Sequence, residues 1–273
     1  MNVFEKMAMP VTSVSSGKVE RVAEDVHALC VQIVNVCYVT AADGWVLIDC
    51  GMTAGEGMIM EQAAKQYGAD RPPRAIILTH GHFDHIGSLP ALLQLWDVPV
   101  YAHELELPYL RGDMAYPPGD PTVDGGLISE LSPLFPHDGL RLGDRVQPLT
   151  DAVMTELLPG WRVIHTPGHT PGHLSLFRES DRTLLAGDAC VTVKQESLYR
   201  VFTQTIELNG PPRYMTTDWQ SAEVSVIKLA QLEPSTLVTG HGHAMHGSTM
   251  QAALKRLAEN FEELAVPEQG RFV

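Results

Sequence analysis

Residues 75–87 read Ala-Ile-Ile-Leu-Thr-His-Gly-His-Phe-Asp-His-Ile-Gly, an apolar run that passes directly into His80, His82, Asp84 and His85. The run has the length and composition of a short buried strand. A chain that stays extended past its strand projects alternate residues to one side about 6–7 Å apart. That spacing predicts that His80 and His82 close on one cation, leaving Asp84 and His85 to serve a neighbouring one. Gly81 and Gly87 let the backbone turn around a crowded site. Neutral imidazole alternating with carboxylate is the donor set of a divalent-metal centre rather than of a solvated loop.

Whether such a centre has a fold to sit in is a question of size and patterning. A chain of 273 residues, 44% of them hydrophobic, buries a core of one-domain-enzyme size. We read residues 1–273 as a single domain. Upstream of the cluster, short β-branched runs over 19–22, 26–30, 31–40 and 45–48 predict strands, with Ala42-Asp43-Gly44 as a hairpin turn. Residues 56–67 have helical composition, then comes the strand at 75–78, a helix over 88–96, a strand over 98–102 and a short helix over 103–110. This β-α-β-α alternation predicts a layered sheet. Further strands are expected at 145–148, 162–164, 174–177, 183–185 and 236–238, with final helices over 217–232 and 248–264. Two halves of this kind, each ending in metal-binding residue types, suggest a duplicated sandwich.

Two segments break the pattern. Residues 111–137 crowd Pro117, Pro118, Pro121, Pro133 and Pro136 with Gly119, Gly125 and Gly126, which predicts a lid or binding loop. Residues 190–216 form a second lid-like stretch. Tyr109, Leu110, Met114, Tyr116 and Phe135 in or near the first, and Tyr199, Phe202, Tyr214 and Met215 in the second, either face a substrate or tether their loop to the core.

Charge and cysteine usage exclude several classes. A net charge of -14, from 33 acidic and 19 basic residues, repels a phosphate backbone, so nucleic acid is not an expected partner. Cys30, Cys37, Cys50 and Cys190 lie far apart without a Cys-x-x-Cys pair, so each is expected as a small buried apolar residue rather than a disulfide or thiolate ligand. The N-terminal Met-Asn-Val-Phe-Glu-Lys-Met-Ala-Met-Pro carries no targeting pattern, and no run is long enough to span a bilayer. The expectation is a soluble cytoplasmic protein with a small-molecule substrate and no membrane partner. Assembly as a homodimer is left open.

Three later stretches repeat the motif of a strand that ends in a ligand: His165-Thr-Pro-Gly-His169-Thr-Pro-Gly-His173, Leu184-Leu185-Ala186-Gly187-Asp188 and Leu237-Val238-Thr239-Gly240-His241-Gly242. Asp49, closing the strand at 45–48, either orients a ligand histidine or caps its turn. Together with Thr-His-x-His-x-Asp-His at 79–85, this order resembles the metallo-β-lactamase fold superfamily over nearly the whole chain, especially its glyoxalase II-like (hydroxyacylglutathione hydrolase-like) branch.

The resemblance implies an α/β (α+β), four-layer αββα sandwich with His80, His82 and His169 on one metal, Asp84, His85 and His241 on a second, and Asp188 bridging both. It also implies two divalent ions, zinc first, with iron, manganese or cobalt compatible with all-His/Asp ligation. The implied activity is hydrolysis of a small ester, thioester or lactone through a metal-bridging hydroxide, with Asp84 as the catalytic residue that accepts a proton from the attacking water. A lactonase of this fold has a tyrosine three residues past the bridging aspartate, where this chain has Val191, and a glutathione thioesterase has a basic cluster, for which only Lys194, Arg200 and Arg213 stand nearby. The alternative is an oxidoreductase, a mononuclear iron persulfide dioxygenase-like enzyme, which leaves the second metal position unused. His165 and His173 are expected to support the site rather than ligate, and His27, His103, His137, His243 and His246 to be structural, with the last two near enough in sequence to His241 to reach the edge of the site.

Overall fold

The computed structural model describes residues 12–273 except Gly125; the N-terminal segment read above for a targeting pattern lies outside these residues. In chain order the elements are β1 (Val19–Ala23), β2 (Val26–Val31), β3 (Val34–Ala41), β4 (Gly44–Ile48), α1 (Glu56–Tyr67), β5 (Ala75–Ile77), α2 (Phe83–Ile86), α3 (Leu89–Leu95), β6 (Val100–Ala102), α4 (Leu107–Arg111), α5 (Leu127–Leu131), β7 (Val146–Pro148), α6 (Asp151–Leu157), β8 (Trp161–His165), β9 (Leu174–Arg178), β10 (Thr183–Leu185), α7 (Leu198–Thr203), α8 (Trp219–Gln231), β11 (Thr236–Val238), β12 (Met245–His246), α9 (Gly247–Glu259) and α10 (Phe261–Leu264). The strands make two sheets, ordered β1-β2-β3-β4-β5-β6-β7 and β12-β11-β10-β9-β8.

Strand periodicity explains how the sheets stack. Successive side chains on β4 point to opposite faces. Val46 and Ile48 join Val39, Ala75 and Ile77 against Leu174, Leu176, Leu185 and Val238 of the second sheet. Trp45 and Leu47 face the other way, onto Ile59 and Ala63 of α1 and Leu89 and Leu92 of α3. On the second sheet, Phe177, Leu184 and Leu237 turn outward onto Val226 and Leu229 of α8 and Leu254 and Leu257 of α9. Strands buried on both faces carry continuous apolar runs rather than alternation, which is why 75–78 contains no polar residue. The architecture is the expected αββα sandwich.

The strand read over 31–40 starts only at Val34, because residue 31 closes β2 and a turn over 32–33 separates the two. Val31 pairs with Val34 across a two-residue turn, and Gln32 sits there at φ 61°. No Gly, Asn or Asp marks that turn, so composition concealed it. The loop at 111–137 contains α5, and α6 and α7 are further helices that the sequence reading missed; each is of seven residues or fewer, too short to develop a helical apolar period. All four cysteines are buried and free, as expected. Among the described residues no helix is long and apolar enough to cross a membrane.

β4 and β5 are parallel neighbours in one sheet, and β10 and β11 in the other. Parallel strands bring their C-terminal ends to a common edge, where side chains from distant sequence positions can meet.

Candidate metal centre

That edge collects Asp49 after β4, Thr79 and His80 after β5, Asp188 after β10 and His241 after β11. The β8–β9 connection adds His169. Past β5 the chain bends at Thr79, and His82, in extended conformation, immediately precedes α2, so Asp84 and His85 arrive on the first helical turn. His82 Nδ1 lies 3.1 Å from His80 Nε2 and 2.9 Å from His169 Nε2. His241 Nε2 lies 3.3 Å from Asp84 Oδ2 and 3.2 Å from Asp188 Oδ2. Asp188 also reaches His85 Nε2 at 3.5 Å and His169 Nε2 at 3.6 Å. Two groups, His80 with His82 and His169, and Asp84 with His85 and His241, each gather their donor atoms within 4.8 Å of one another; His80, His85 and Asp188 form a third that overlaps both. The structure thus brings together all seven residues picked out as ligands from the sequence.

The hydrogen bonds around this cluster fix which nitrogens face inward. Thr79 Oγ1 donates to Asp49 Oδ2, so at 3.0 Å it accepts from His80 Nδ1. Thr216 Oγ1 donates to the Pro212 carbonyl and accepts from His169 Nδ1. His85 Nδ1 donates to Asp49 Oδ2 at 2.8 Å, and His241 Nδ1 donates to the Ile33 carbonyl at 3.1 Å. In each neutral ring the outer nitrogen holds the proton, and Nε2 turns a lone pair toward the cluster. Imidazole nitrogens and carboxylate oxygens therefore converge on one small volume. His85 Nε2 and Asp188 Oδ1 are buried without a hydrogen-bond partner. They face each other at 3.5 Å, a pair that needs a positive charge between its atoms, from a metal ion or, without one, from a proton on His85. Nitrogen and oxygen donors without thiolate suit zinc, iron, manganese or cobalt.

Electrostatics divides the cluster along the same line. Burial holds His80 and His169 well below the ordinary histidine range and His82 at about 4, with neighbouring imidazoles adding to it for His80 and His169, so this trio is neutral. Burial also opposes charge on His85 and His241, but Asp188 with Asp49 raises the first well above its usual value, and Asp188 with Asp84 raises the second to about 9. Burial works against the Asp188 carboxylate, yet His241 and His85 hold it well below the usual carboxylate range. Asp84 is lowered in the same sense. Two carboxylates here demand positive charge, which protons supply when no cation does.

Glycine makes this closeness sterically feasible. A Cβ on Gly240 would lie 2.0 Å from Asp188 Oδ1 and 2.7 Å from His85 Cε1. Asn35 fixes the strand end carrying His241 to the other sheet, donating to the carbonyls of Thr239 and Gly242.

Asp49 is the orienting residue of the two readings left open, since its carboxylate accepts from Thr79 N, Thr79 Oγ1 and His85 Nδ1. His173 supports the site, its Nε2 accepting from Asp188 N at 2.9 Å, and burial first of all lowers its pKa to about 3. His165 bonds the Pro171 carbonyl and stacks on His103.

Glu106 went unrecognised in the sequence. Fully buried, it accepts from Gly81 N, Gly172 N, Thr170 Oγ1 and the Tyr116 hydroxyl, joining the His80–His82 segment to the His169 loop. Nothing in the sequence distinguishes it from Glu104 two residues earlier; only the fold buries one and exposes the other.

A cleft opens over the cluster. Its wall includes Leu127, Ile128 and Leu131 of α5, Phe135, Leu198 of α7, Tyr214 and Met215, with Asp84 and Asp188 at its floor. The two lid-like segments thus contribute helices and apolar side chains to it. Tyr199 and Phe202 are exposed on α7, whereas Leu110 and Tyr116 are buried.

Residues 31–241 match the family model described as the metallo-beta-lactamase superfamily. The chain is 46% identical over 259 residues to the probable metallo-hydrolase YflN of Bacillus subtilis (strain 168), which covers 94% of this chain and 98% of that one. Among solved structures it resembles TTHA1623 in a di-iron-bound form, at 25% identity and TM-score 0.51 over 78% of this chain and 89% of the other. A B3 metallo-β-lactamase with an active-site glutamic acid superposes with TM-score 0.60 over 95% and 92% of the two chains, a likeness of fold alone at 16% identity.

Proposed function

Because the chain belongs to the metallo-β-lactamase superfamily, we propose that it is a dinuclear metal-dependent hydrolase of a small ester, thioester or lactone, with the ligand pattern of the glyoxalase II-like branch. The observation that carries this reading is the convergence of seven buried or nearly buried His and Asp side chains around Asp188, in groups whose ligand atoms lie within 4.8 Å of one another. His80, His82 and His169 would hold one ion, Asp84, His85 and His241 the other, and Asp188 both. Bound there, the ions supply Lewis acidity toward a carbonyl and acidify a water toward neutral pH.

The chain's own residues account for the rest. Asp84 has a side chain 14% exposed against 2% for Asp188. It is therefore the carboxylate open to the cleft. Burial opposes its charge, but the hydrogen bond from His241 and the charge of His85 outweigh that and keep it ionised, ready to accept a proton from an attacking water. Asp49, Thr79 and Thr216 hold the imidazoles in their ligating tautomers. The apolar wall keeps bulk water from the reacting carbonyl, which strengthens every electrostatic contact within.

The presence of Asp84, His85 and His241 beside Asp188 favours two ions over the mononuclear iron alternative. Metal analysis combined with a panel of neutral esters, thioesters and lactones tests the reading. The expected result is two ions per chain and turnover on at least one class. One iron per chain, oxygen uptake with a persulfide and no hydrolysis would replace it with the dioxygenase reading.

A further inference from the structure

We propose that the cleft selects an uncharged substrate bearing an apolar chain, and that the Gln195 side-chain amide donates the hydrogen bond that orients the substrate's oxygen. The reaction attributed to that substrate rests on the hydrolase reading above; the binding preference does not.

Gln195 lines the cleft and is only 1% exposed, yet its amide nitrogen has no hydrogen-bond partner among the described residues. A buried donor without a partner is uncommon and calls for an acceptor from outside the chain. The backbone that carries it is held, which leaves rotation of the side chain to turn the amide toward the cleft. Thr192 N donates to the His241 carbonyl at 3.1 Å, the Thr192 carbonyl accepts from Glu207 N at 2.9 Å, and Ser197 N donates to the Lys194 carbonyl at 3.3 Å. Gln195 therefore stands at a set place in the cleft lining, beside His169, Asp188 and His241.

The surroundings limit what brings that acceptor. Leu127, Ile128, Leu131, Phe135, Leu198 and Met215 supply the wall, and among the described residues no Lys or Arg lines it. Leu127 and Leu198 stand 51% and 46% exposed, at the mouth of a cleft lined with apolar carbon. The basic residues nearest in sequence serve elsewhere: Arg213 pairs with Asp124 at 2.5 Å and Arg200 with Glu207 at 3.0 Å, while Lys194 lines a separate depression. A carboxylate on the far end of a substrate would lose its water here and gain no cation. Small-molecule sites of this kind draw affinity from apolar walls and orientation from a few placed polar groups. This composition argues against a glutathione conjugate, whose anionic ends find no counter-charge.

Ligand binding to the metal-free protein reads the cleft without reference to turnover. Butanamide and hexanamide are uncharged and carry a carbonyl acceptor; adipamate is hexanamide's analogue ending in a carboxylate. Titration calorimetry should show affinity rising about three- to fourfold per added methylene, with adipamate at least tenfold weaker than hexanamide. Gln195→Met, close in shape but without the donor, should weaken hexanamide at least fivefold while leaving the melting temperature unchanged or higher, because an unpaired buried donor is removed. Adipamate binding as well as hexanamide, or Gln195→Met binding hexanamide undiminished, overturns the proposal. A metal-loaded enzyme that hydrolyses nothing while these preferences hold sinks the hydrolase reading alone.

Discussion

Asp49 Oδ2 lies 2.8 Å from His85 Nδ1 and 2.8 Å from Thr79 Oγ1, so one carboxylate sets the rings of two histidines, His85 directly and His80 through the threonine hydroxyl. Asp49 itself stands at φ 60°, a left-handed conformation in which Asp is among the few non-glycine residues commonly found. Replacing it with Asn should lower metal affinity by about 10- to 100-fold. The larger loss is expected at the position held by Asp84, His85 and His241, as measured by competition with a chelator.

Asp188 touches both ligand groups, and its loss should therefore not be confined to one. Asp188→Ala should reduce metal content from two ions to one or fewer and turnover by more than about a hundredfold. Elemental analysis and kinetics on one preparation distinguish this from a folding defect when circular dichroism is unchanged.

Metal uptake should release protons. The pKa of His241 is raised to about 9 and that of His85 is raised well above its usual value, so both are protonated at pH 7 in the metal-free protein. Each must lose a proton to ligate, giving about two protons released per chain. Affinity should thus fall as pH falls below these values. Calorimetry in two buffers of different ionisation enthalpy counts the protons directly.

Glu106→Ala would strand four buried donors in the segments that carry His80, His82 and His169. Unpaired buried donors cost about 1–3 kcal/mol each, so a loss of about 3 kcal/mol or more is expected from urea unfolding. Glu106→Gln keeps the shape and two acceptor lone pairs, and it should lose less.

Gly240→Ala drives a methyl group into Asp188 Oδ1 and the His85 ring. Overpacking of a tight site costs about 1–3 kcal/mol, and because the displaced atoms are ligands, metal content should fall before stability does. Elemental analysis beside a melting curve separates the two.

Much of this site was legible in the sequence because its ligands stand immediately after apolar strands. His80, Asp188 and His241 each follow a run of Ile, Leu or Val by one to three residues, and a strand end is where a side chain leaves the core. The helix over 56–67 matched to the residue because it is long enough to show its period and ends at Gly68. Short elements were harder to read. The turn at Gln32 carries no turn residue, and α7 is six residues of mixed composition. Gln195 and Glu106 carry no local mark at all.

Local chemistry written into the chain, namely which residues can ligate, which runs must be buried and where strands stop, determined the sheet pattern and the inventory of ligands. Only the packing of two sheets decided that His169, Asp188 and His241 come within ångströms of His80, that one of two nearby glutamates is buried among four donors, and that the cleft above is apolar with the Gln195 amide buried in its lining. Burial and the meeting of distant segments are properties of the folded surface, and no residue's neighbours in sequence encode them.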